Sequence, residues 1–443
     1  MGEERGHFSS RLGFILAASG SAVGLGNIWR FPYITAENGG GIFVLIYIVF
    51  VATVGLSVML VELTIGRHAE SNPVGALRKV APGALSSLGY LFVFTGIAIL
   101  SYYGVVAGWT VGYLVKSVFG ELDADSFGGF IQNPTLQISY LAFFILITTG
   151  VVYFGVKEGI EKMSTILMPI LLLLLIALIA RGLFLPTAAE GLKFYLVPDF
   201  DKVSVKTFLY AVGQAFFSLS LGMGAMITYG SYIEKKENLL TCASSVVFFD
   251  TLVAFLAGLL IFPVVGGVIE KGGPTLVFVT LIKIFHDMPG GQIIAIVFFL
   301  LLAIAALTST VSLHEVATAY LVDERKLNRH IAVWLVGGIT LLLGIPSALS
   351  LGAVKWLSGL LGKGFLGIMD FVFGNIALTF GAMMLCIIAA YKWRLKNAVK
   401  EIEIGFPNFG KYKNIWGFFV SYISPLAIAL MLIYVLITGE GLG

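Results

Sequence analysis

The sequence predicts an all-α integral membrane protein of eleven transmembrane helices. Two sets of five are related by inversion, helices 1 and 6 are broken, and an eleventh helix follows. Three observations carry this. Hydrophobic residues fill 58% of 443 positions and charged residues only 12%. Apolar stretches near the length that crosses a hydrocarbon core recur from end to end. Two of those stretches are interrupted by similar runs of small and polar residues.

In chain order the apolar stretches cover 12–34, 42–66, 88–118, 136–155, 160–182, 207–233, 240–268, 292–322, 330–348, 364–391 and 415–437. A cytoplasmic N-terminus puts Arg5, Arg11, Arg67, Arg78, Lys79, Lys157, Lys162, Lys235, Lys236, Arg325, Lys326, Arg329, Lys392, Arg394, Lys396, Lys400, Lys411 and Lys413 on the inside. Half as many basic residues then lie outside, which is the bias that sets topology, and the odd span number sends Gly443 to the outer side. The net charge of +3 reflects this loop bias rather than an acidic partner. No basic run interleaved with aromatics suggests nucleic acid.

The first stretch is too long for a cleavable signal and is followed by Arg30 rather than a small-residue cleavage site, so helix 1 itself is expected to direct insertion. Cys242 and Cys386 stand in or beside spans without a partner motif and are expected to be packing residues. With no polar linker or low-complexity tract, 1–443 reads as one domain. Its halves are about 8–183 and 205–393, with helix 11 at about 414–438.

The first interruption, "SGSAVGLGNIWRFP", runs from Ser19 to Pro32; the second, "GQAFFSLSLGMGAMITYGSY", runs from Gly213 to Tyr232. Backbone left unpaired in lipid is costly, so broken helix is tolerated only where protein or a cavity covers it. Close helix packing through small residues is the alternative reading of either run alone. By helical rise, Gly20–Gly24 lies roughly 12–18 Å into helix 1 from the inner side, and Ser218 roughly 16 Å into helix 6 from the outer side. Both breaks therefore fall near the midplane. Since each of these helices heads a set of five spans, an odd number, the second set is inverted, and paired breaks in inverted halves point to a transporter site.

These motifs, with "ALTSTVSLHE" in helix 8 and "MDF" in helix 10, resemble the neurotransmitter:sodium symporter family in its bacterial, amino-acid-transporting branch. The resemblance covers almost the whole chain and matches bacterial members that stop after eleven spans rather than the usual twelve. It implies two sodium ions and no organic cofactor. The first ion would be held by the Ala22 backbone, Asn27, Ser218 and Asp250, with the substrate carboxylate. The second would be held by backbone oxygens of Gly20, Val23 and Ala305 with the Thr308 and Ser309 hydroxyls, although hydroxyls in helices also bond back to their own backbone.

The resemblance further places the substrate among Ala22, Gly24, Gly26, Ile99, Tyr103, Phe217, Ser218, Ser220, Met223, Ser309, Ser312 and Leu313. Nothing in that lining would neutralise a charged side chain. Amine transporters of the family carry Asp at the position of Gly24, so here the space is left for an α-carboxylate. Met223 replaces a Phe of the bacterial leucine transporter. A flexible Met suggests large hydrophobic or aromatic cargo, unless it merely packs the scaffold.

Gates are implied at Arg30 with Asp370 outside, above a lid of Tyr103 and Phe217, and at Arg5 with Asp323 inside, near Tyr232. Phe8 stands where the family usually has Trp. Exposed ion pairs are worth about 0–1 kcal/mol, which suits contacts that must open. Gly159 and Pro169 bracket nine residues of helix 5, and Pro lacks a backbone donor. In similar transporters this spacing unwinds to open a water path to the inner sodium site; a static kink is the alternative.

Chloride-dependent relatives carry Asn at the position of Asp250 and Ser at that of Ala254. The expected transport is therefore chloride-independent, with Asp250 either a sodium ligand only or also a proton acceptor on the return step. The partners implied are a hydrophobic amino acid and the bilayer, and the location a bacterial inner membrane. Other classes fit less well. The polar residues cluster at one depth instead of lining a continuous pore, and "HEVAT" at His314–Thr318 lacks the second His of a zinc-protease motif. A sensor on the same fold would bind without transporting.

Overall fold

The computed structural model describes residues 6–267, 269 and 272–441. In chain order α1 is a pair, Arg11–Ala22 and Gly26–Glu37, bent by 54° at the break. It is followed by α2 (Gly41–Ala69), α3 (Ala84–Phe119), α4 (Pro134–Tyr153) and α5 (Val156–Gly182). The next element, α6, is again a pair, Val205–Ser218 and Ala225–Gly230. Then come α7 (Leu239–Val265), α8 (Gly291–Arg325), α9 (Arg329–Leu349), α10 (Gly364–Lys392) and α11 (Lys413–Thr438). Among the described residues nine helices are long and apolar enough to cross a membrane, or ten if α1 counts as one span. Neither piece of α6 is long enough alone, because six residues of its expected stretch leave the helix.

Local chemistry sets several helix ends. Ser10 caps α1 by accepting from the Gly13 amide, Asn238 caps α7 by accepting from Thr241, and Gly266 closes α7 at φ +73°. At about 54 Å, the 36 residues of α3 exceed a hydrocarbon core, so this helix extends beyond it or tilts.

Burial separates the centre of the bundle from its rim. The apolar windows of α3 and α8 are 72% and 61% buried, whereas those of α5 and α11 are 28% buried and turn most of their surface outward. α8 lies along α3, and the first half of α1 sits against α5, α7 and α8. Both broken helices therefore run through the middle of the protein. Residues 19–28 and 218–232 are all buried, so interrupted backbone meets protein rather than lipid.

Candidate functional site

At the first break the chain leaves the helix after Ala22, with Val23 extended at φ −71°, ψ 108°. The freed amides find side-chain acceptors: Gly24 N–H donates to Asn27 Oδ1 at 3.0 Å and Leu25 N–H to the Tyr103 hydroxyl at 3.0 Å. At the second break Ser220, Gly222 and Gly224 all have positive φ, and the Gly222 amide donates to Glu62 Oε1 at 2.7 Å. Gly222 also packs so closely on α10 that a Cβ would collide with the Leu378 carbonyl. A glycine is required there by backbone and neighbour together.

Asn27, Ser218 and Asp250 meet between the breaks. The Asn27 amide nitrogen donates to Asp250 Oδ1 at 2.7 Å and to Ser218 Oγ at 3.0 Å. Ser218 Oγ lies 2.9 Å from both Asp250 oxygens, and the Tyr47 hydroxyl points to Asp250 Oδ2 at 3.4 Å. All four side chains are buried. The Asp250 carboxylate with the Ser218 and Tyr47 hydroxyl oxygens suits a hard monovalent cation, whereas Asn27 turns its nitrogen toward them and its oxygen toward Gly24. Among the described residues no cluster of three or more His, Cys, Asp or Glu could hold another kind of metal.

A second oxygen cluster forms where α8 crosses the first break. Thr308 Oγ1 lies 3.0 Å from the Ala305 carbonyl and 3.4 Å from that of Val23; Ser309 Oγ lies 3.3 Å from the Val23 carbonyl and 3.2 Å from that of Ser21. The back-bond from Thr308 to its own helix is present, as hydroxyls in helices allow. The same hydroxyl nonetheless faces the unwound carbonyl of another helix, so the oxygen set spans both elements. Gly20 packs beside it, where a Cβ would come to 3.2 Å from Thr308 Cβ.

Between the two clusters lies a cavity of ≈ 40 Å³. Every residue expected to line a substrate site borders it except Ser312, which stands one layer back. The Ser312 hydroxyl accepts from Ser21 Oγ at 2.6 Å and donates to the Ser309 carbonyl at 2.8 Å, so Ser21 occupies the surface assigned to it. Ser21 and Leu378 complete the lining. Leu378 is not marked by the α10 motif "MDF", which lies about two turns earlier in that helix.

Above the cavity lies a larger vestibule of ≈ 250 Å³, bordered by Arg30, Tyr103, Phe217 and Asp370. The Arg30 guanidinium sits 3.9 Å above the Phe217 ring, a cation–π contact. Asp370 Oδ1 accepts from the Tyr102 hydroxyl at 3.0 Å. Arg30 is the partner expected for Asp370 from the sequence, and Tyr102 is one that no local motif marks.

Of the inner gate, Arg5 lies outside the described residues. Asp323 accepts from the Asn72 amide at 2.9 Å, and Phe8 is buried against Phe14, Tyr229 and Tyr232. Tyr232 donates to Glu315, which also pairs with Arg329 at 2.6 Å. Arg329, fourteen residues on, is the cation that answers Glu315. Around Gly159 the chain takes a wide turn over Val156–Glu161, and beyond it the helix continues through Pro169 without unwinding.

A family model for the sodium:neurotransmitter symporter family matches residues 5–136 and 126–442. The chain belongs to that family. This symporter is 39% identical over 437 residues to a sodium-dependent transporter of Bacillus subtilis (strain 168), YhdH, covering 96% of each chain. It is 28% identical to the human sodium- and chloride-dependent GABA transporter 2, over 77% of this chain and 67% of the other. In structure it is similar to MhsT in complex with L-phenylalanine, at a TM-score of 0.88 and 43% identity over 97% of this chain and 99% of that one. The symporter is thus a sodium-dependent membrane transporter and not an enzyme.

Proposed function

We propose that this symporter couples two sodium ions to the import of hydrophobic and aromatic L-amino acids by alternating access, without chloride. The observation that carries the reading is the convergence of two buried helix breaks on one apolar cavity flanked by two oxygen clusters. The freed amides and carbonyls at half-helix ends suit an α-carboxylate and sodium at once. The apolar wall of Ile99, Met223, Leu313 and Leu378 suits an uncharged side chain. That the similar MhsT was solved with L-phenylalanine supports the same cargo class.

Taking α1 and α6 each as one broken span gives eleven spans, a 5+5 inverted repeat and a final helix. The loop charges then support a cytoplasmic N-terminus, an outer C-terminus and a bacterial inner membrane. Chloride independence is supported by the donors around Asp250. Tyr47, Ser218 and Asn27 all point at its carboxylate, so a fixed negative charge occupies the place where relatives are expected to hold the anion, and Ala254 one turn on offers no hydroxyl.

Energetically, a tenfold sodium gradient supplies ~1.4 kcal/mol per ion and 100 mV adds ~2.3 kcal/mol per charge. Two ions then supply about 7 kcal/mol, ample for concentrating a zwitterion. A radiolabel competition panel over the twenty amino acids, with sodium or potassium, tests the reading. Saturable binding in sodium only, displaced by Trp, Phe, Tyr and Leu but not by Lys or Glu, is expected. Binding in potassium, or displacement by charged amino acids, would overturn it. In proteoliposomes uptake should be equal in chloride and gluconate, and Asp250→Asn with Ala254→Ser should make it chloride-dependent. Binding without uptake would instead identify a sensor.

A further inference from the structure

Where α10 ends and α11 begins, the basic side chains on that side of the protein fall into two sets. One set is engaged by carboxylates: Arg67 and Lys235 with Glu401 at 2.9 and 3.1 Å, Arg78 with Glu324 at 2.8 Å, and Arg329 with Glu315 at 2.6 Å. The other set is concentrated in a single connector. Lys392, Arg394, Lys396, Lys400, Lys411 and Lys413 are all exposed, and none of them forms an ion pair among the described residues. The same connector contains only two carboxylates, Glu401 and Glu403. Glu401 is buried and already bound by Arg67, His68 and Lys235. Six cations against one remaining carboxylate, Glu403, therefore leave an excess of positive charge that the chain does not match.

Its placement is specific. Lys392 is the last residue of α10 and Lys413 the first of α11, so the connector joins the ends of two helices long and apolar enough to cross a membrane. Between them the helix Leu395–Gly405 buries Ala398, Glu401 and Ile402 and turns Lys396 and Lys400, one turn apart, outward. Apolar and aromatic groups stand exposed beside these cations: Tyr391, Ile404, Tyr412 and Ile415. The Tyr391 hydroxyl donates to the Ser421 carbonyl at 3.0 Å, which joins the two membrane helices at this level. Unpaired lysines with long apolar stems, set among tyrosines at the end of membrane helices, match the headgroup layer, where phosphates sit above hydrocarbon.

We propose that this connector is a binding surface for anionic phospholipid headgroups, whose phosphates provide the charge that the chain leaves unmatched. Because Glu401 fastens the same helix to Arg67 of α2 and to Lys235 after α6, lipid held here braces these elements against one another. Loop charge that serves only to set topology requires no such response to lipid.

The test uses the full-length protein in nanodiscs of phosphatidylcholine with increasing phosphatidylglycerol, at fixed sodium and at low or high potassium chloride. The melting temperature is the readout. The parent should be stabilised by phosphatidylglycerol, less so in high salt. The variant Lys396→Gln/Lys400→Gln/Lys411→Gln/Lys413→Gln should lose the response or need about tenfold more phosphatidylglycerol for it. A control, Lys157→Gln/Lys326→Gln, removes two exposed cations away from the connector and should respond like the parent. Sodium-dependent stabilisation of both variants in pure phosphatidylcholine shows that they are folded. An identical phosphatidylglycerol response in parent and quadruple variant would overturn the proposal. So would an equal shift produced by inorganic phosphate in phosphatidylcholine alone.

Discussion

Asn27 holds the first break in shape and presents the first oxygen cluster with the same amide group: its oxygen accepts from Gly24 while its nitrogen reaches Ser218 and Asp250. Replacing it with Ala removes both functions and leaves a buried carboxylate with fewer donors. Sodium-dependent binding should weaken by about 2–3 kcal/mol, or roughly 30- to 150-fold. Saturation binding in sodium measures this, and an unchanged affinity would remove Asn27 from the site. Met223 borders the cavity, and its unbranched, flexible side chain gives large cargo a wall that yields. Met223→Phe should stiffen that wall and move preference toward aliphatic amino acids. The ratio of Trp to Leu affinities in competition assays reports it, and an unchanged ratio would make Met223 scaffold only. Both residues were legible because each lies inside a contiguous motif. Ser21, Tyr102, Arg329 and Leu378 were not, since each acquires its role from a neighbour on another helix.

The two broken helices behave differently from the nine continuous ones because their interruptions are held by other elements. Gly222, at φ +83°, is wedged between the Glu62 carboxylate and the α10 backbone. Gly222→Ala should therefore destabilise the protein by about 2–4 kcal/mol, combining a left-handed backbone with a clash against backbone that cannot move aside. Thermal unfolding in detergent would show the loss, and a parent-like melting temperature would mean that the α6–α10 contact is not rigid. In α5 the wide turn at Val156–Glu161 and the continuous helix through Pro169 leave both expectations for that helix standing. Pro169→Ala restores a backbone donor in the stretch expected to unwind. Release to the inner side should slow while equilibrium binding changes little. Counterflow and binding measured on the same preparation separate the two, and normal transport rates would favour the static kink.

One buried carboxylate ties the helix after α10 to the end of α2 and to the segment after α6. Glu401, on the helix after α10, meets Arg67 of α2 at 2.9 Å, Lys235 at 3.1 Å and His68 at 3.2 Å, while Arg67 also bonds the carbonyls of Lys235 and Glu237. Burial pushes the Glu401 carboxyl upward, but hydrogen bonds from His68 and Lys235 and the charges of Arg67 and Lys235 outweigh it and bring it down to about 2. A carboxyl depressed from its ordinary 4.5 contributes stability that is fully present above that value and is lost only as pH falls toward about 2. The parent's melting temperature should therefore carry no dependence on this group between pH 5 and 8. Glu401→Gln should lower stability by about 3 kcal/mol throughout that window, because it leaves Arg67 buried without its counter-charge. A variant as stable as the parent would remove the clamp from the account of how these elements are held.

Composition and local pattern were enough to establish the membrane class, the order of the apolar stretches, the two breaks and the family, because each depends on residues close together in the chain. Apolar length decides whether a stretch can cross a bilayer, and clustered small residues mark where a helix stops. The partners were another matter. That Ser21 rather than Ser312 would face the cavity, that Tyr102 would donate to Asp370, and that Glu315 would be answered by Arg329 all depend on how helices rotate and cross. A helix turns a residue through 100° with each step along the chain. Which face meets which neighbour is set by packing the whole bundle at once, and no local stretch of sequence contains that choice.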